Sequence, residues 1–148
     1  MPAFPMLAVK ELTASGRWYQ DALGFRLIFS MPGPDGHPTL MHLRWKKYAD
    51  LLLVTASPPQ AAIEPKGAGV TLYFAMDSGD VDQLAERARA HGATLVSGPV
   101  TQPWNAREVT LLDPDGYRLT FTQRADERLD FEQVVSQVAR HAGGEARR

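Results

Sequence analysis

The chain has 148 residues, 44% of them apolar, which suits one domain or two small fused modules with a real core. Sixteen basic and seventeen acidic residues give a formal charge of −1, which excludes a broad field that would draw in nucleic acid or an anionic membrane. The absence of cysteine excludes disulfides and thiolate zinc sites and is compatible with a reducing cytoplasm, the expected location.

The start, MPAFPMLAVKEL, lacks a basic region followed by a long apolar stretch, so no signal peptide is expected. No apolar run approaches the roughly 20 residues of a membrane span. FPMLAVK reads as a strand over 4–10. TASGRWYQDALGF reads as a short helix, with Thr13 or Ser15 available as its cap and Gly24 as its stop. FRLIFS (25–30) is a second strand. MPGPDGHP (31–38) is rich in Pro and Gly and reads as loop. TLMHLRW and DLLLVTA form a hairpin around KKYA.

A linker, SPPQAAIEPKGAG (57–69), follows, and the pattern restarts. GVTLYFAM is a strand. DVDQLAERARAHG is a helix with Val81, Leu84 and Ala88 on one face, ending at Gly92. ATLVS is a strand and GPVTQPWNA a loop. REVTLLD and YRLTFTQ close around DPDG, where Pro114 suits the second turn position and Gly116 a positive φ. ALGFRLI aligns with AHGATLV, so one module occurs twice with a period of about 68 residues. The expected organisation is one domain over 1–124 (module one 4–56, linker 57–69, module two 70–124) and a helical extension over 125–148. In that tail Leu129, Phe131, Val134, Val135 and Val138 recur at helical spacing. The stripe has two readings: packing on its own domain, or docking on a second subunit. The terminal GGEARR is expected to fray.

The duplicated module, WYQDALGF after the first strand, and LLDPDGYRLTFTQ near the end resemble the vicinal oxygen chelate superfamily, which includes glyoxalase I, extradiol dioxygenases and bleomycin-resistance-type binding proteins. The resemblance frames residues 4–123. It implies an α+β fold: two tandem βαβββ modules whose sheets pair edge to edge into one curved, cup-shaped mixed sheet, helices outside, usually as a homodimer. In metal-dependent members it implies four ligands on inner strand faces. Their positions fall here on Phe4, at or beside Leu53, on Thr71 and on Thr120. Phe, Leu and two Thr cannot make an ordinary divalent site, which needs imidazole or carboxylate donors. Neighbours one residue away (Pro5, Leu52, Val54, Val70, Leu72, Leu119, Phe121) do not rescue it. No metal and no other cofactor is therefore expected.

With those positions taken as inward, strand alternation puts Phe4, Met6, Ala8, Leu51, Leu53, Thr55, Thr71, Tyr73, Ala75, Arg118, Thr120 and Thr122 in the cup. Leu7, Val9, Leu52, Val54, Leu72, Phe74, Leu119 and Phe121 then meet the helices. Leu40, His42 and Arg44 also face the cup, and Trp104 in QPWN lies over its mouth. The candidate ligand-binding set is Phe4, His42, Arg44, Leu53, Tyr73, Trp104, Arg118 and Thr120, an apolar and aromatic lining with a few polar groups. The same residues have plainer roles open to them. One of Trp18 and Tyr19 belongs to the core, Arg44 and Arg118 fit a solvated rim, and His42 fits a structural histidine. His37, His91 and His141 read as surface groups. No Ser-His-acid pattern or phosphate loop is recognisable, and Asp113 and Asp115 belong to a turn.

Three functions follow as alternatives. The first is a metal-free protein that sequesters an aromatic or amphipathic organic ligand, with no catalytic residue. Near-neutral charge and arginines in the cup favour a neutral or anionic aromatic over a cationic drug. The second is a lyase, isomerase or dioxygenase with a displaced metal site, for which His42 and Glu108 are candidates. The third is an interaction module working through the tail.

Overall fold

The computed structural model describes residues 3–146. Module one runs β1 (Met6–Val9), α1 (Leu12–Leu23), β2 (Arg26–Pro32), β3 (Pro38–Trp45) and β4 (Ala49–Thr55). A short helix, α2 (Pro58–Ala62), precedes module two: β5 (Leu72–Ala75), α3 (Val81–Ala90), β6 (Thr94–Gln102), β7 (Ala106–Leu112) and β8 (Arg118–Arg124). The last helix, α4, spans Phe131–Glu145. The fold is α+β with tandem βαβββ modules.

The sheets have orders β1-β4-β3-β2 and β5-β8-β7-β6. In each, the first strand pairs parallel with the last and the others pair antiparallel. Leu43 stands opposite Leu51 as Leu111 stands opposite Leu119, so the internal repeat is also a repeat of register. Strand pairing stays within a module: the two sheets remain separate rather than one eight-stranded sheet. What joins the modules is one core on the helix side. Phe25 and Trp45 of module one meet Phe74 and Phe121 of module two, with centroids 5.2 Å apart for Trp45–Phe121 and 5.6 Å for Phe25–Phe74. Such edge-to-face pairs contribute about 0.5–1.5 kcal/mol each beyond the area they bury. Tyr19 is the helix aromatic that enters this core, and Trp18 is half-buried beside it.

The DPDG turn is a second joint between modules. Asp113 accepts the N–H groups of Asp115 (2.9 Å) and Tyr117 (2.8 Å), which closes the turn, and Gly116 supplies the positive φ, 97°. Its other oxygen accepts the Tyr19 hydroxyl at 2.7 Å. Asp115 accepts the Ser15 hydroxyl (3.3 Å) and the Lys10 N–H (2.8 Å). Both turn aspartates thus reach across to α1 and its approach. Ser15 is therefore not a helix cap; Glu11 precedes α1 without a side-chain cap, and the expected cap at Thr13 or Ser15 is corrected. Burial pushes the Asp113 carboxyl up to about 6 against the opposing pull of its hydrogen bonds, and burial with the neighbouring Asp113 carboxylate raises Tyr19 well above an ordinary phenol.

Other expectations shift as well. Part of the loop expected over 98–106 is strand, because β6 continues to Gln102. A bulge at Gly98, with φ 82°, bends it past Pro99, and a Cβ there would collide with the Glu108 carbonyl oxygen. The linker contains α2, whose start is a reciprocal Ser57–Gln60 capping box. Of the tail expected to fray, residues 143–145 are helical, and Arg147 and Arg148 lie outside the described residues.

Candidate functional site

The side chains turned away from the core form two outward faces, one per sheet. In module one the parallel register pairs Leu7 with Leu53 and Val9 with Thr55. Leu51 and Leu53 are fully buried in the core with Leu7 and Val9. This corrects the expected cup position of Leu51, Leu53 and Thr55: the outward residues of β4 are Asp50, Leu52 and Val54. The physical reason is that LLLV is apolar on both faces, so alternation alone could not orient it, whereas pairing with β1 does.

Around Leu52 the outward face carries Met6, Leu40 and His42, with Phe29 and Met31 of β2 opposite His42 and Leu40. Met6 is 63% exposed and Phe29 54%. Phe4, just before β1, is also exposed. His42 and Arg44 converge on Asp50. The Arg44 guanidinium gives two hydrogen bonds to it, at 2.6 and 2.7 Å, and His42 Nε2 lies 3.0 Å from Oδ2. The Arg44 bonds, aided by His42, hold the Asp50 carboxyl down at about 2, and Asp50 raises Arg44 in turn. Asp50 was not among the candidates. The KKYA turn expected over 46–49 would set Arg44 opposite Leu51; Trp45 instead pairs with Ala49, so the turn is 46–48 and Arg44 comes opposite Asp50.

In module two the outward set is Tyr73, Ala75, Arg118, Thr120 and Thr122, with Glu108, Thr110 and Leu112 of β7 opposite the β8 residues. Tyr73, directly beside Thr120, is 61% exposed. Arg118 is exposed at the start of β8. Thr120 is almost fully buried, and its hydroxyl shares a 2.8 Å hydrogen bond with that of Thr110. Trp104, 50% exposed in the β6–β7 turn, donates Nε1–H to Glu108 at 3.3 Å, and Thr122 donates to the same oxygen at 3.1 Å. Among the described residues no hydrogen bond or ion pair links these groups to the His42–Arg44–Asp50 cluster.

The four positions implied for a metal do not fit one. Phe4 offers carbon, Leu53 lies in the core, Thr71 precedes β5, and the Thr120 hydroxyl is taken by Thr110. Among the described residues no three His, Asp or Glu side chains converge. Glu108 is the nearest carboxylate on the β7–β8 face, and Trp104 and Thr122 engage it.

Two tandem βαβββ modules, each a four-stranded mixed sheet, define the fold class. The chain belongs to the Glyoxalase/Bleomycin resistance protein/Dioxygenase superfamily, whose family model matches residues 3–121. A search of curated proteins finds no match. Among solved structures, TnmS3, an antibiotic binding protein from Streptomyces sp. CB03234, is 25% identical, covering 84% of this chain and 97% of its own, with a TM-score of 0.61. A glyoxalase/bleomycin resistance protein from the same organism is 27% identical over 80% of this chain and 96% of its own, with a TM-score of 0.60. TioX from Micromonospora sp. ML1 is 21% identical over 87% of this chain and 100% of its own, with a TM-score of 0.66, a likeness of fold. Among the described residues no helix is long and apolar enough to cross a membrane.

Proposed function

We propose that the protein binds and sequesters a planar aromatic or amphipathic organic molecule on its outward sheet faces without a metal. The observation that carries this reading is the pairing of exposed Met6, Phe29, Tyr73 and Trp104 with implied ligand positions that offer carbon, a neutral hydroxyl at Thr71 and an engaged one at Thr120. Large apolar side chains left open beside a few convergent polar groups are the make-up of a small-molecule site. The likeness to an antibiotic binding protein supports it. Arg118, which makes no ion pair among the described residues, favours a neutral or anionic ligand, whereas the charge of Arg44 is matched by Asp50. Sequestration requires affinity alone, so no catalytic residue is assigned.

The reading includes a homodimer. Each face is open in a single chain, and a second copy that covers part of it would turn an exposed surface into an enclosed cup. Helix α4 belongs to the same question: it has no buried residue and holds to its domain through Gln137, which donates to the Pro103 carbonyl at 3.1 Å, and through the Arg124–Leu129 contact. Its Phe131, 81% exposed, with Val135 and Val138, gives it a free apolar stripe for a second subunit.

The test is calorimetric titration against neutral and anionic planar aromatics, antibiotics among them, followed by tryptophan fluorescence. Trp104→Ala is expected to weaken binding about three- to tenfold, the worth of one aromatic contact. Absence of binding across the panel overturns the reading. Stoichiometric divalent metal in the purified protein would favour the displaced-site enzyme instead.

A further inference from the structure

The outward face of module one is apolar around one polar feature, the Asp50 carboxylate with His42 and Arg44 upon it. Asp50 accepts from Arg44 Nε and Nη2 and lies 3.0 Å from His42 Nε2. A carboxylate kept ionised at Nε2 fixes the imidazole proton on that nitrogen and leaves Nδ1 as the ring's lone pair. Among the described residues nothing donates to Nδ1 of His42. The residues around it are Phe29 of β2 and Leu52 of β4, its pairing partners, with Leu40 and Arg44 on its own strand. The charged groups on this face are Asp50, Arg44 and Arg26, the last opposite Arg44 on β2. The arrangement is a proton acceptor, oriented by a carboxylate, set in an apolar floor.

We propose that His42, positioned by Asp50, takes the proton of an acidic aromatic hydroxyl, a phenol or enol, on the bound ligand. The inference rests on the reading of this face as a ligand site and narrows the ligand's chemistry. The ligand O–H bond breaks, its proton forms an N–H bond at Nδ1, and the electron pair stays on the ligand oxygen. The His42–Asp50–Arg44 cluster then carries one positive charge, which the ligand oxyanion matches. His42 and Asp50, 27% and 18% exposed, are partly withdrawn from water, which strengthens that attraction. A ligand whose hydroxyl is methylated has no proton to give and leaves the acceptor unpaired. Hydrogen bonds to charged groups contribute about 1.5–3 kcal/mol, which corresponds to roughly a ten- to hundredfold preference for the free hydroxyl.

The probes are 4-nitrophenol and its methyl ether, 4-nitroanisole, with absorbance reporting the ionisation of the former. The wild-type protein is expected to bind 4-nitrophenol at least about tenfold more tightly than the ether. The bound probe should show the phenolate band at a pH where the free probe is mostly protonated. His42→Asn and Asp50→Asn should each remove the preference and the band while still binding the ether. Thermal melting confirms that both variants remain folded, and the band is a readout that a merely structural role for Asp50 would not move. Equal affinity for the two probes, or an unchanged band in His42→Asn, overturns the proton-acceptor role and leaves the ligand-site reading standing. Failure of both probes to bind removes the aromatic-site premise and the proposal with it.

Discussion

Asp113 ties the stability of this fold to pH in an unusual direction. Its carboxyl is 5% exposed, serves two backbone N–H groups and the Tyr19 hydroxyl, and is pushed up from 3.8 to about 6. A raised folded-state value means that the folded protein holds a proton which the unfolded chain has released. The stabilisation is full below pH 3.8 and is lost as pH rises through about 6. A gap of about two units at 1.36 kcal/mol per unit is about 3 kcal/mol. Asp113→Asn removes the titration but keeps one oxygen for the two N–H groups and an amide beside Tyr19. Asp50, Asp82 and Asp126, whose carboxyls are lowered by arginine partners, act in the opposite sense at acid pH but are present in both proteins. They cancel in the difference between wild type and variant. Urea unfolding at a series of pH values gives that difference. The wild type's stability relative to Asp113→Asn should fall by about 3 kcal/mol from below pH 3.8 to above pH 6. A difference that stays flat across this range would refute the argument that burial outweighs the three hydrogen bonds.

Phe121, fully buried and stacked on Phe74 at 5.2 Å, should cost about 3–5 kcal/mol on truncation to Ala, read by denaturant unfolding. Gly98→Ala places a Cβ against the Glu108 carbonyl at a positive φ and should lower the melting temperature, with a cost on the order of 1–3 kcal/mol. Added Zn2+ or Mn2+ is expected to leave the melting temperature unchanged; a saturable rise with stoichiometric metal would show that donors have been overlooked. A chain ended at residue 130 loses no buried side chain with α4, so its unfolding free energy should change by less than about 1 kcal/mol. The same truncation should convert a dimer to a monomer in solution if the Phe131 stripe is a subunit contact.

Much of the architecture was legible because it is local or periodic. Gly24, with φ 79°, ends α1 as its position after the helix pattern required, and Val81, Leu84 and Ala88 are buried as their spacing implied. The doubled register follows from the doubled motif. Of the candidate site, His42, Arg44, Tyr73, Trp104 and Arg118 lie on outward faces or beside them. Asp50, the cross-strand partner of Arg44, became apparent only once register was known, and Glu108, already a candidate, acquired Trp104 and Thr122 as partners there.

By itself, the chain's order of glycines, apolar alternations and the DPDG turn determined two βαβββ modules, and the positions that the family resemblance implies for a metal read as Phe, Leu and two Thr. Tertiary structure decided what those patterns leave degenerate. The apolar run over 51–53 could face either way, and the β1–β4 pairing turned Leu53 into the core. The turn aspartates could have been solvated, and docking of α1 buried them against Tyr19 and Ser15. In each case the deciding energy comes from groups far apart along the chain, which no local pattern encodes.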